Sequence, residues 1–118
     1  MDRINQILHH PLFITYMETN ATKEKGRSFC RHNMEHVMDV ARIAYILNIE
    51  EAHQVSKDMI YAAALLHDIG RHVQYETGEK HVFVSARLAP EILRDCGFEE
   101  DEIIKLVEKC GFKLNSIE

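Results

Sequence analysis

Residues 57–71 read KDMIYAAALLHDIGR, an apolar run that ends in two ionisable side chains. The preceding Ser56 is a favourable helix N-cap, and a glycine follows soon after the run, as at many helix ends. This pattern predicts a helix from Lys57 to about Asp68. Because residues 60–66 are apolar on nearly every side, we expect this helix to lie at the centre of a helical bundle.

The rest of the chain repeats apolar residues at helical spacing and nowhere alternates as a half-buried strand does. Polar loops are predicted over residues 23–27 and 74–80. Further helical segments are predicted over residues 2–9, 12–22, 28–47, 50–55, 81–95 and 99–109. The expected fold is therefore all-α, a compact bundle of about five to six helices.

The composition is that of a globular protein. The chain has 118 residues, of which 46% are hydrophobic and 28% charged, unlike disordered or low-complexity proteins. We therefore expect a single domain over residues 1–118. The formal net charge is −5, from 14 Lys and Arg against 19 Asp and Glu. Since an acidic protein binds polyanions poorly, no nucleic acid is expected as a partner, whereas a phosphorylated small molecule is not excluded.

The cysteines and the apolar runs exclude other classes of protein. Three cysteines without a C-x-x-C pair form neither a disulfide framework nor a cysteine-based zinc site. No signal-peptide pattern opens the sequence, and the longest apolar run, residues 60–66, is too short to cross a membrane. We therefore expect a cytoplasmic protein without a membrane partner. The eight histidines direct attention to metals and phosphates instead.

The first candidate site is the pair His67-Asp68 at the end of the central helix. Burying a carboxylate costs on the order of several kcal/mol unless it is paired or binds a metal. Imidazole and carboxylate together suit a divalent ion. The alternative is a helix end at the surface, with Asp68 solvated.

His36 is the second candidate, because it lies one turn before Val40 on the apolar stripe of its helix. Metal sites in helical bundles are often built from side chains on facing helices. His36 therefore either faces the His67-Asp68 pair across the bundle or is an ordinary core histidine.

A second histidine pattern lies close by. Residues 32–36, HNMEH, fit the H-x-x-E-H pattern of inverted zinc peptidases, although 118 residues leave little room for a peptidase cleft. His32 either lines the same site as His36 or is exposed. The sequence contains no nucleophile elbow and no phosphate-binding glycine loop, and Cys30 near His32 is only weak evidence for a cysteine nucleophile.

Positive charge follows the His67-Asp68 pair in an otherwise acidic chain. Arg71, His72 and His81, together with Lys80, form this local patch. Beside a metal, such groups bind phosphate oxygens and balance the charge that develops in phosphoryl transfer. The alternative is a set of ordinary solvated loop residues.

Three segments carry a family resemblance: HVMDVARIA at residues 36–44, AAALLHDIGR at residues 62–71, and His81 followed by Ser85-Ala86. They resemble, in that order, the H-x-x-x-V-A helix, the A-x-L-L-H-D-I-G-K/R signature and the H-x-x-x-S/G-A helix of the HD-domain superfamily of metal-dependent phosphohydrolases. The order and spacing are similar to those of the family over about residues 27–97.

The resemblance implies an all-α bundle that binds a divalent metal through a histidine, a His-Asp pair and a later aspartate. On that basis His36, His67 and Asp68 are metal ligands, and Asp68 bridges two ions where a second one binds. Mn, Fe, Ni, Co, Zn and Mg are all candidate ions. His81 resembles a ligand of a second metal or of phosphate, and Arg71 stands at a position near the substrate.

The reaction implied by the resemblance is hydrolysis of a phosphate ester, of a nucleotide or another small molecule, by metal-activated water. Catalytic roles then fall to Asp68, Arg71 and His81. The expected substrate-binding residues are Arg71, His72, His81 and His32.

The chain departs from the family pattern at its C-terminal end, where it is short relative to the family. No position matches the last aspartate ligand; the later carboxylates are Asp95, Glu99, Glu100, Asp101, Glu102, Glu108 and Glu118. The alternative function is therefore a non-catalytic HD domain that binds metal or a phosphorylated ligand without turnover. A third possibility is a structural protein with incidental histidines. Apolar surface exposed by a missing helix would favour a homodimer.

Overall fold

The computed structural model describes residues 2–25, 34–50 and 55–107. Within these ranges the structure contains helices and no strands, which confirms the all-α prediction. The seven helices are α1 (Asp2–His9), α2 (Pro11–Lys23), α3 (Met34–Glu50), α4 (Lys57–Leu66), α5 (Arg71–Thr77), α6 (His81–Asp95) and α7 (Glu100–Lys105).

Local capping accounts for several helix boundaries. Pro11 begins α2, and the ring Nδ1 of His10 accepts a hydrogen bond from the backbone N–H of Leu12 at 3.1 Å. At the start of α4 the Ser56 hydroxyl accepts from the N–H of Met59, as its N-cap role predicts. These contacts satisfy backbone donors that the first turn of a helix leaves without an intrahelical partner.

One element differs from the prediction. The sequence predicts a loop over residues 74–80, yet α5 extends to Thr77 and ends at Gly78 in the left-handed conformation, with φ of 80°. Because α5 buries none of its residues, its sequence needs no apolar face. It therefore lacks the regular spacing of apolar residues by which most helices are recognised. Contacts with α2 and α6 hold α5 in place. The expected turn of helix over 50–55 and the end of the 99–109 helix lie mostly outside the described residues.

The central helix is α4, as its sequence predicts. Eight consecutive residues, Met59 to Leu66, are buried, and α4 packs against α1 and α3. This burial carries the chain directly into the interior at His67 and Asp68, which are also buried. Apolar as α4 is, neither it nor any other described helix has the length and character needed to cross a bilayer.

Arg3 on α1 joins the beginning of α4 to α7. Its Nε donates to Asp58 at 3.1 Å and its Nη1 donates to Glu102 at 2.8 Å. The guanidinium also lies over the ring of Phe98, 4.1 Å from the ring centroid. One side chain on the first helix therefore fixes the position of the last described one.

We expect Arg3→Met to lower the free energy of unfolding by about 1 kcal/mol at pH 7. The hydrogen bond from Arg3 lowers the pKa of Glu102 below its ordinary value near 4.5. A carboxyl with a lowered folded-state pKa stabilises the protein above its ordinary pKa and loses that contribution as the pH falls. Urea unfolding between pH 7 and pH 3 should therefore show a weaker acid destabilisation in Arg3→Met than in the unmodified protein.

The control variant is Arg94→Met, because Arg94 forms the same kind of pair with Glu100 in a more exposed place, at 54% and 65% side-chain exposure. We expect no measurable change in stability there. Equal effects of the two variants would contradict the role assigned to Arg3.

Candidate metal centre

Residues at or near helix ends bring four ionisable side chains together around a fifth, Asp68. His36 lies in the first turn of α3, and His67 directly follows α4. Arg71 and His81 are the first residues of α5 and α6. Residues far apart in sequence therefore meet at one place in the fold.

The carboxylate of Asp68 is at the centre of this cluster, and Asp68 is completely buried. Its Oδ2 atom lies 3.3 Å from His67 Nε2 and 3.8 Å from His36 Nε2. Its Oδ1 atom accepts a hydrogen bond from Arg71 Nε at 2.9 Å and lies 3.4 Å from His81 Nε2. The two oxygens therefore face different partners, one a pair of histidines and the other an arginine with a third histidine.

Asp68 Oδ2 and the two histidine nitrogens that face it form a set of ligand atoms that fits a divalent metal ion. His36, His67 and Asp68 each offer one ligand atom, and these atoms lie within 4.8 Å of one another. Bonds of about 2.0–2.2 Å to one ion place neighbouring donors roughly 3–3.5 Å apart. The His67–Asp68 separation already has this value, and the half-buried His36 needs only a small movement to reach it. Imidazole nitrogen with carboxylate oxygen suits Mn, Fe, Co, Ni or Zn.

Two hydrogen bonds orient the histidine rings. His67 Nδ1 donates to the backbone carbonyl of Ala64 at 2.6 Å, so Nε2 is the ring nitrogen on the side of Asp68 that is left to bind a metal. His81 Nδ1 contacts the side-chain oxygen of Gln74 at 2.8 Å, and the same oxygen accepts from the backbone N–H of His81. His67 Nε2 and Asp68 Oδ2 are both within reach of one cation.

Gln74, which contacts the candidate residue His81, is a residue of the site that the sequence does not indicate. The sequence predicts a loop at this position, and the contact depends on α5 ending beside the start of α6, which no local pattern reveals. Ser85, one turn after His81 on α6, has a related role. Its hydroxyl accepts a hydrogen bond from the backbone N–H of Gly70 at 2.9 Å, which fastens the turn after Asp68 to α6.

The structure does not gather every predicted residue at Asp68. The ring of His72 stacks on Tyr16 of α2, with centroids 5.6 Å apart. Lys80 and Glu35 are exposed. His32 and Cys30 lie outside the described residues.

Most of the later carboxylates are engaged elsewhere. Asp95 pairs with His10, Glu100 with Arg94, and Glu102 with Arg3, while Glu99 caps α7. Asp101 is exposed, and Glu108 and Glu118 lie outside the described residues. Among the residues that the structure describes, the candidate metal cluster therefore has three members.

Comparison with known families agrees with this geometry. The model of the HD domain matches residues 33–116. The chain belongs to the HD-domain family. This confirms the resemblance, and the matched region extends further toward the C-terminus than the segments that suggested it. HD domains form a superfamily of metal-dependent phosphohydrolases and bind divalent metals, as the His36, His67 and Asp68 cluster is able to do.

A relative of this HD domain occurs in Clostridium beijerinckii, where it is named only as an uncharacterized protein. The two sequences are 46% identical over 103 residues, which is 87% of this chain and 66% of the relative. The matched part thus spans slightly less than two thirds of the relative's length. No solved structure matches the chain.

Proposed function

We propose that this chain hydrolyses a phosphate ester, of a nucleotide or another small molecule, with the help of a divalent metal. The observation that carries the proposal is the buried carboxylate of Asp68, which has three imidazoles and one guanidinium around it. A metal site beside fixed positive charge is what a phosphoryl group requires, because its oxygens carry negative charge throughout the reaction.

His36, His67 and Asp68 are the proposed metal ligands. When bound, a divalent ion lowers the pKa of water toward neutrality and neutralises charge on phosphoryl oxygens. Two imidazole donors favour a transition metal over Mg²⁺, which prefers oxygen ligands. The hydrogen bond that His67 Nδ1 donates to the carbonyl of Ala64 keeps His67 in the tautomer that ligation needs.

Arg71 and His81 are the proposed catalytic residues on the other side of Asp68. The guanidinium of Arg71 carries a permanent positive charge, and its bond to Asp68 Oδ1 keeps that charge beside the metal ligands, where it attracts phosphate. Gln74 holds Nδ1 of His81, so Nε2 is the atom that holds or transfers a proton. His72 and His32 stay predictions as substrate-binding residues.

Metal removal tests this proposal. We expect protein purified without chelator to carry about one equivalent of a transition metal, and EDTA to abolish hydrolysis of a panel of phosphate esters, with recovery on adding Mn²⁺. Mn²⁺ at about 100 times its Kd should stabilise the folded state by about 2.7 kcal/mol, because it binds that state selectively. Metal analysis, a phosphate-release assay and thermal unfolding measure the three effects.

The matched variants are His67→Ala, which removes a proposed ligand, and His9→Ala, which removes an exposed histidine on α1. Only His67→Ala should lose the metal and the stabilisation. If metal-loaded protein releases no phosphate from any ester in the panel, the proposed hydrolysis is wrong.

The second candidate function is binding of metal or a phosphorylated ligand without turnover. The observation that favours it is the engagement of Asp95, Glu99, Glu100 and Glu102 away from Asp68. It predicts the full thermal stabilisation by Mn²⁺ with no release of phosphate. Phosphate release that His67→Ala abolishes would reject it.

Two further expectations belong to this proposal. Residues 1–118 form a single domain that does not bind nucleic acid. Two copies associate as a homodimer, for which α3 offers exposed isoleucines, Ile43 at 46%, Ile46 at 52% and Ile49 at 62%.

A further inference from the structure

The side chain of Asn20 connects α2 to the turn that carries the proposed metal ligands. Asn20 is completely buried, although the sequence places it on an otherwise weakly patterned helix. Its Nδ2 donates to the backbone carbonyl of Asp68 at 2.9 Å. Its Oδ1 accepts from the backbone N–H of His72 at 2.8 Å and lies 2.9 Å from Nδ1 of the same residue.

These contacts define the orientation of the amide. A backbone N–H only donates and a carbonyl oxygen only accepts, so Oδ1 faces His72 and Nδ2 faces Asp68. The same oxygen fixes the tautomer of His72, whose Nδ1 donates to it. The carbonyl of Asp68 accepts a second bond, from the N–H of Arg71 at 3.2 Å. One buried amide thus bonds both to Asp68, in the turn between α4 and α5, and to His72, in the first turn of α5.

Polar contacts are prominent in the support of α5, the helix that Asn20 holds. None of the residues of α5 is buried, and Gly70 at its N-cap has no side chain to cap it. Glu24, which directly follows α2, accepts a hydrogen bond from the hydroxyl of Tyr75. Polar contacts with α2, together with the contacts that α5 makes with α6, therefore set the position of α5, and apolar burial contributes little.

We propose that Asn20 is a positioning residue of the metal centre, acting through the backbone of Asp68 and the first turn of α5. Fixing the peptide of Asp68 aims its carboxylate at His67, and fixing α5 places Arg71 Nε on the other carboxylate oxygen. The effect on metal rests on the function proposed above, whereas the effect on Arg71 does not.

Two variants of similar size separate the contacts. Asn20→Leu removes all of them, whereas Asn20→Asp keeps an acceptor for His72 and loses the donor to Asp68. Residues that orient metal ligands typically change metal affinity by about 10–100-fold when substituted. We expect both variants to raise the Kd for Co²⁺ by that factor and to change the visible absorption spectrum of the bound ion.

A second measurement uses the metal-free protein. In the ¹H–¹⁵N spectrum, the Nε–H of Arg71 should give a protected resonance, because it is hydrogen-bonded to the buried Asp68. Both Asn20 variants should shift this resonance and accelerate its exchange with water. A purely structural asparagine lowers the melting temperature without moving either readout in the protein that remains folded.

The matched control is Asn48→Leu. Asn48 on α3 also bridges two backbone groups, donating to Val55 O at 3.1 Å and accepting from Val55 N at 3.3 Å. Asn48→Leu should lower the stability of the protein and leave the Co²⁺ affinity and the Arg71 resonance unchanged.

The outcomes are distinct. If folded Asn20→Leu and Asn20→Asp leave the Arg71 resonance and the Co²⁺ affinity unchanged, Asn20 does not position the site. If neither variant folds, Asn20 is a structural residue and the inference is equally overturned. If the unmodified protein binds no Co²⁺, the proposed function fails, and the Arg71 resonance alone decides whether Asn20 positions Asp68.

Discussion

We expect Asp68→Asn to abolish metal binding and to lower phosphate release by about 10³-fold or more, while the protein stays folded. Asp68 supplies the only negative charge among the clustered His36, His67 and Asp68 ligands. The amide has the same shape and its oxygen still accepts from Arg71, but it does not compensate the charge of a divalent ion. Loss of that charge removes the main attraction for metal in a buried place, where electrostatic interactions are strong.

The measurements are metal content by mass spectrometry and phosphate release from a panel of esters. The control is Asp95→Asn, because Asp95 is 59% exposed and pairs with His10 outside the cluster. It should keep the full metal content and rate. If Asp68→Asn retains the metal at the same stoichiometry, Asp68 is not a ligand, and the cluster has another role.

The sequence predicts α4 and its burial because the evidence there is local, whereas it leaves open whether the end of the helix, at His67 and Asp68, is buried or solvated. Residues 59–66 are apolar on every side, so burial follows from composition alone, and the structure confirms it. The partner of His36, in contrast, does not follow from local sequence. Periodicity places His36 on the inner face of α3, but which helix that face meets depends on the whole bundle. The family resemblance, now confirmed by the HD-domain match, supplied that missing step.

The remainder of the site depends on contacts that leave no local pattern. Gln74 lies in a polar segment with no buried residue, so nothing distinguishes its helix from a loop. Asn20 bonds to backbone atoms of Asp68 and His72, 48 and 52 positions later in the chain. Backbone groups are the same in every residue, so no pairing of residue types reveals such a partner. Only the assembled fold identifies these positioning residues.

We expect Gly70→Ala to lower the free energy of unfolding by about 3 kcal/mol, a fall in Tm of about 10 °C or more. A Cβ atom at this position would lie 2.6 Å from Val84 Cβ and 2.7 Å from the backbone nitrogen of Ser85. Backbone atoms of α6 have no rotamer to change, so α6 must move away as a whole. That movement also breaks the hydrogen bond from Gly70 N to the Ser85 hydroxyl. Thermal and urea unfolding measure the loss.

Gly78→Ala separates steric contact from backbone strain. Gly70 has an ordinary backbone, with φ of −89°, so alanine there meets only the neighbouring helix. Gly78 has φ of 80° and no atom within 4 Å of the added Cβ, so alanine there meets only strain, at a cost of about 1 kcal/mol. Gly70→Ala should therefore be clearly the more destabilising variant. Equal losses of stability would mean that α6 moves away from residue 70 at little cost. The contact between Gly70 and Ser85 would then not fix the position of His81 beside Asp68.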